Sequence, residues 1–181
     1  MYFEHSIKTE VPVKVVYETL RDDLAELVDY IPNVSRIEVL ERKKTKESIN
    51  VLNKWYGKYQ IPAIVEKVIK IHEIAWFDRA QWMNDDYACV WSIEPLILKE
   101  YVDVHGRNTY SSDGKYSTVK ITGDINIDLG NYPLVPSILR KRVNNEISRI
   151  TLALIKPNFT KLIKGLEQYI KAGKSKGRST R

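Results

Sequence analysis

PSILRKRVNNEISRITLALIKPNFTKLIKGLEQYIK, residues Pro136–Lys171, carries the most regular pattern in the chain. Leu139, Val143, Ile147, Ile150, Leu154, Phe159, Leu162, Leu166 and Ile170 follow one another mostly at steps of three or four. Such steps place side chains along one side of a helix. At about 1.5 Å per residue that helix runs roughly 50 Å. An apolar stripe this long must lie against something of similar length, and the only candidate is the strand-like sequence before it. A sheet that curls around one terminal helix encloses space between the two, so the pattern predicts a pocket. Pro157 falls well inside the helical pattern. It lacks a backbone donor and crowds the preceding turn, which predicts a kink or break near Lys156.

Working back toward the N-terminus, the texture is strand and turn. In the last strand Val119, Ile121, Ile125 and Ile127 share a face with Gly123, while Lys120, Thr122, Asp124 and Asn126 take the other. Ser111–Gly114 and Asn84–Asp86 read as hairpin turns. Ile49, Val51, Asn53 and Trp55 alternate with Ser48, Asn50, Leu52 and Lys54, and Ile64–Ile74 is rich in β-branched residues and reads as strand-like. At the start, Phe3, His5, Ile7, Thr9 and Val11 face one way and Tyr2, Glu4, Ser6, Lys8 and Glu10 the other. Pro12 ends that strand and opens a short helix with Val13, Val16, Tyr17 and Leu20 inward. A second follows over Leu24–Tyr30, with Asp22 or Asp23 at its N-cap. The order is strand, two short helices, about six antiparallel strands, one long helix. The expected fold class is α+β, with a curved antiparallel sheet of about seven strands around the C-terminal helix.

Composition agrees with a globular chain: 43% hydrophobic and 29% charged residues. The net charge of +6 is concentrated at one end, because Lys171, Lys174, Lys176, Arg178 and Arg181 come with no acid among them. The remainder carries about +1, so the high pI does not by itself mark a nucleic-acid-binding face, and no stable nucleic-acid complex is expected. Residues 172–181 read as a flexible basic tail, whose weak contact with anionic membrane or RNA is the one role its charge suggests. The single cysteine, Cys89, excludes an internal disulfide and fits a reducing compartment. Neither a signal peptide nor a membrane-length apolar run is visible, so the expected location is cytoplasmic.

The chain resembles the START-like or SRPBCC superfamily of helix-grip proteins, which includes the birch-pollen-allergen family, polyketide cyclases and lipid-transfer domains. The resemblance rests on His5–Pro12 followed by a helix, on Tyr30-Ile31-Pro32-Asn33-Val34 leading into Ile37-Glu38-Val39-Leu40, and on the terminal helix. It implies one ligand-binding domain over residues 1–171, with an apolar ligand held between sheet and helix.

The candidate ligand-binding residues are Trp55, Trp82, Trp91, Ile121, Ile125, Val143, Ile147 and Leu154. Aromatic rings offer large apolar area with a polar edge, which suits a lipid, a polyketide or a quinone. His72, Glu73 and Tyr101 are candidate polar groups of the cavity, with Glu73 facing Arg79. Asp103 beside His105 could orient an imidazole, but alternation assigns Tyr101, Asp103 and His105 to a solvated face. Cys89 has no nearby base and reads as a small apolar residue. No spacing of His, Cys, Asp or Glu suits a metal, and no cofactor motif is present. Gly173-Lys174-Ser175 lacks the earlier glycine of a phosphate loop, since that position is Gln168. The expected function is therefore to carry or sense a hydrophobic small molecule. The alternative is a cyclase, aromatase or dehydratase working in the same cavity.

Overall fold

The first strand, β1 (Tyr2–Thr9), buries Phe3 and Thr9 and exposes Tyr2, Glu4, Ser6 and Lys8, as its alternation requires. The computed structural model describes residues 1–58, 60–69, 73–129 and 132–173, without the side chains of 68–69, 153–154 and 156–157. Most of the basic tail, His72 and the Leu154 side chain therefore lie outside the described residues. Pro12 cannot extend β1, and its carbonyl accepts the Val16 N–H at 3.0 Å to open α1 (Val13–Asp22). Val16, Tyr17, Thr19 and Leu20 are buried beneath α1. A 3₁₀ helix over Leu24–Tyr30 follows, burying Leu27. Asp23 stands at its N-cap, but the Asp23 side chain makes no capping bond.

Six further strands follow: β2 (Val34–Lys44), β3 (Ser48–Gly57), β4 (Ala75–Met83), β5 (Ala88–Pro95), β6 (Val102–Ser112) and β7 (Ser117–Ile127). They form one antiparallel seven-stranded sheet in the order β1-β7-β6-β5-β4-β3-β2. β1 and β2 are its edges. The β2 edge carries a register shift between Val39 and Glu41 and the charged run Glu41–Lys44, both of which discourage pairing with another chain.

The sequence reading fails at two places. The described start of Ile64–Ile74 is not a strand: residues Ala63–Ile69 form a short helix, α2. The β-branched residues favour a strand locally, but burial of Val65 against Leu98, Leu129, Val135 and Val143 outweighs that preference. The Pro62 carbonyl starts the turn, accepting the N–H groups of Val65 and Glu66 at 2.8 and 3.1 Å. Of the kink or break expected near Lys156, the break is absent. Ser137–Lys171 is one helix of 35 residues, α3. Its packing on both sides of Pro157 offsets the missing hydrogen bond.

α3 spans two core clusters. Val143, Ile147 and Ile150 join Val65, Leu98, Leu129 and Val135. Phe159, Leu162, Ile163, Leu166 and Tyr169 join the larger core under α1 and the sheet. Two glycines set how closely these layers approach. A Cβ on Gly165 would lie 2.1 Å from Cβ of Tyr30, so α3 meets the 3₁₀ helix at backbone distance. A Cβ on Gly106 would lie 2.2 Å from the Thr122 carbonyl oxygen and 2.4 Å from Cζ2 of Trp91. The Trp91 ring therefore lies directly on β6, and the concave face keeps its depth there.

Gly106→Ala should push Trp91 off the sheet and cost about 1–3 kcal/mol. Urea denaturation reads the loss, and a shift in tryptophan emission reports the displaced ring. Unchanged stability and emission would show that β6 tolerates a side chain there.

Candidate functional site

Between its two core clusters α3 does not reach the sheet, and a cavity of about 260 Å³ is left. The strands line it in alternate positions. β4 contributes Trp76, Asp78, Ala80 and Trp82; β5 contributes Cys89, Trp91, Ile93 and Pro95; β6 contributes Val102, Val104, Asn108 and Tyr110. Trp55 and Ile121 come from β3 and β7, and α3 closes the opposite wall with residues from Ile147 to Leu162. Of the lining residues, Glu73 and Ile97 are exposed, so the cavity reaches the surface between the start of β4 and the β5–β6 turn. Leu98 in that turn holds φ at +70°, a strained value for a branched side chain, and turns inward against α2 and α3.

All four tryptophans line this space. Trp55 and Trp76 are paired across β3 and β4 and stack at 5.8 Å near the mouth. Trp82 lies deeper, edge-on to Tyr17 at 5.2 Å. Tyr17 is fixed in turn, its hydroxyl donating to the carbonyl of Met83. The indole N–H of Trp91 donates to Oδ1 of Asn108 at 2.9 Å.

Besides Glu73 at the mouth, one charged group sits in this apolar wall. Asp78 lies one pleat deeper than Trp76, and its Oδ2 accepts the Asn53 amide at 3.2 Å and the Trp55 indole N–H at 3.3 Å. Burial pushes the Asp78 carboxyl up to about 6, against the two hydrogen bonds, which favour the charged form. On the facing helix Asn158 is buried, with its Oδ1 unpartnered, and it too lines the cavity. Cys89 is buried in the wall, and burial raises its thiol well above the usual range, which suits packing and not nucleophilic work.

The residues singled out from the sequence divide into two groups. Trp55, Trp82, Trp91, Ile121, Ile147 and Glu73 line the cavity. Ile125 and Val143 do not: each is buried in solid core, Ile125 beside the sheet's β1 edge and Val143 in the cluster around α2. Tyr101 is also outside the lining, packed edge-on against Tyr132 at 5.0 Å. Glu73 does not face Arg79, which pairs instead with Glu94 at 3.4 Å. Asp103 and His105 are 3.2 Å apart on the exposed face, more than half of each side chain being accessible. Among the described residues, Glu73, Tyr101 and Asp103 therefore do not converge. Asp78, Asn108 and Asn158 were missed. The signal for Asp78 was present, because a lone acid stands in the row Trp76, Asp78, Ala80, Trp82 on an otherwise apolar face.

No protein-family model and no curated protein matches the sequence. Solved structures do match the fold over nearly the whole chain. The Zhui aromatase/cyclase from Streptomyces sp. R1128 superposes with a TM-score of 0.68 at 13% identity, covering 99% of each chain. The protein TTHA0849 from Thermus thermophilus gives 0.65 at 18% identity, over 97% of this chain and 100% of that one. Ara h 8.0201 gives 0.58 at 15% identity, over 95% and 98%. The architecture is the helix-grip fold: a seven-stranded antiparallel sheet closed by a long C-terminal helix.

The raised carboxyl of Asp78 has a calculable effect on stability. A folded-state value above the ordinary 3.8 means that Asp78 favours folding fully below about pH 4 and loses that contribution as pH rises through about 6. Asp78→Asn carries no charge, so it should gain on the wild type between pH 4 and pH 8 by up to about 3 kcal/mol. Urea denaturation at both pH values isolates this term. A difference that does not change with pH would place the Asp78 carboxylate in water.

Proposed function

We propose that the cavity binds a compact apolar small molecule, which the protein carries or senses. The observation behind this reading is the unfilled space itself: four tryptophans and sixteen Leu, Ile and Val side chains surround about 260 Å³ that the chain does not occupy. Dry apolar voids of this size cost stability, since a core can be packed to close them. A ligand restores the missing contacts. Removing about 200 Å² of ligand surface from water contributes ~5 kcal/mol before the costs of association. The volume lies near the lower end of small-molecule sites, about 300–1,000 Å³. It suits one or two fused rings, or a short branched chain, better than an extended acyl chain.

A second reading, an enzyme of the cyclase or dehydratase kind on a polyketide-like substrate, draws support from one residue. A carboxyl whose value stands at about 6 inside an apolar cavity is poised to give and take a proton near neutral pH. The Zhui structure, an aromatase/cyclase, shares the fold. The two readings differ in outcome, because a carrier returns its ligand unchanged.

Native mass spectrometry of the purified protein should show an adduct that organic solvent removes. Ala80→Phe projects a ring into the void and should abolish that adduct while leaving the circular dichroism unchanged. Trp55→Ala should weaken binding of an apolar fluorescent probe at least about tenfold, with a smaller effect on folding. A wild type that carries no adduct and binds probe no better than Ala80→Phe would overturn the proposal.

A further inference from the structure

The cavity wall holds a carboxylate and no cation to balance it. Among the described residues no Lys, Arg or His lines the space. Both hydrogen bonds to Asp78 arrive at Oδ2, which leaves Oδ1 without a hydrogen-bond partner on a side chain that lines the cavity. Across the cavity Asn158, 7% exposed, presents a second acceptor without a partner. Buried polar atoms without partners are rare in proteins, and Asn158 Oδ1 and the Tyr110 hydroxyl are two of them on side chains that line this space, so with the open Oδ1 of Asp78 they describe an incomplete site. For Asp78, what is missing is a donor.

The geometry points to a ligand that joins a compact apolar body to a neutral hydroxyl, alcohol or phenol, which donates to Oδ1 of Asp78. This assignment rests on the reading of the cavity as a ligand site and adds the polar group that the ligand must carry. An ionised carboxylate accepts and never donates, which excludes a ketone or ether as its partner. A protonated amine would satisfy it as well, but an ammonium must first shed its water to enter an apolar space, at far greater cost than a hydroxyl. The depth is also informative. Asp78 sits just beneath the Trp55–Trp76 stack, whereas the inner wall is made by Trp82, Cys89, Ile121 and Phe159. The apolar body occupies the inner end, and the hydroxyl lies toward the mouth.

The same geometry fixes what a substitution does. In Asp78→Asn, the Asn53 amide and the Trp55 indole still donate toward the Oδ2 position. The carbonyl oxygen of the new side chain must occupy it, and the NH₂ group then faces the cavity. An acceptor becomes a donor, and the preferred ligand changes from a hydroxyl to a carbonyl compound.

The charged groups around Asp78 leave its titration readable. β3 presents Asn53 and Trp55, and α3 presents Thr151, Ile155 and Asn158, none of them titratable. Cys89 on β5 and Tyr110 on β6 are both pushed well up by burial and keep their protons. Glu73, at the mouth, is the other carboxylate on the wall.

The test titrates naphthalene, 2-naphthol, 2-acetonaphthone and 2-naphthylmethylamine into wild type and Asp78→Asn, with calorimetry as the readout. At pH 7.5 the wild type should prefer naphthol to naphthalene by about 10- to 100-fold, the range of a hydrogen bond to a charged acceptor. That preference should fall as the wild type is taken below about pH 6, a measurement that needs no variant. Asp78→Asn should bind acetonaphthone more tightly than naphthol. Equal binding of naphthalene and naphthol at every pH would overturn the hydroxyl assignment and leave the cavity a plain apolar site. Tightest binding of the amine would overturn it in favour of a cation. If none of the four binds, the cavity is not a ligand site and the assignment falls with it.

Discussion

The structure depends on a mismatch between one long helix and the concave sheet beneath it. α3 must bury an apolar stripe along its whole length, but the sheet meets it only in two places. At the C-terminal half, Phe159, Leu162, Ile163 and Leu166 sink into the main core. At the N-terminal half, Val143, Ile147 and Ile150 rest on α2 and the β5–β6 turn. Between them the sheet offers Asp78, Ala80 and Asn108, small or polar residues at positions where a solid core would place leucine or phenylalanine. The helix is too stiff to bend into the gap, and the space stays open. A cavity here is a consequence of side-chain volume, not of loose folding.

Much of this was legible in the sequence. The α3 stripe, the alternation of β1 and β7, and the hairpin turns at Asn84 and Asp113 are local signals, and each survives in the structure because burial of one face agrees with local preference. α2 was misread because its preference points the wrong way and only contacts with Leu98 and Val135 reverse it. Pro157 does not end α3: a proline reports a local cost, and a helix packed on both sides of it can absorb that cost. Which tryptophans touch the cavity was partly visible, since Trp55, Trp82 and Trp91 stand on inward rows. Ile125 and Val143 stand on the same kind of row but lie where the layers meet. Alternation gives the face of a residue and says nothing of how far the opposite layer is.

Asp78 shows how a site imposes itself on stability. Nothing in folding favours a carboxylate between two tryptophans: burial raises its energy, and the bonds from Asn53 and Trp55 recover only part of the cost. A serine or leucine would fold more easily there. Groups kept at the expense of stability cluster where proteins bind or react, and this one faces the open space and not the packed interior. Cys89 is the contrast, deeper in the same wall but with no charge to sustain and its sulfur in contact with the Val90 carbonyl.

The two halves of α3 are held by different means, and this difference bears on access. The C-terminal half is clasped by polar contacts as well as packing: His5 meets Thr160 at 2.9 Å, Thr9 donates to Glu167 at 2.6 Å, and Tyr169 donates to Glu26 at 2.8 Å. Gly165 brings this half to backbone distance from the 3₁₀ helix. The N-terminal half is a contrast: among its described residues, Thr151 bonds within the helix to Ile147 and Arg140 to Val135 in the turn before it. Its grip on the rest is apolar and therefore non-directional, which allows sliding at little cost compared with breaking a set of hydrogen bonds. Beneath that half lie the strained Leu98 turn and the short helix α2, which is too brief to be stable without tertiary support. The half of α3 held by apolar contacts is thus the half nearer the mouth, while the clasped half shapes the inner end of the cavity.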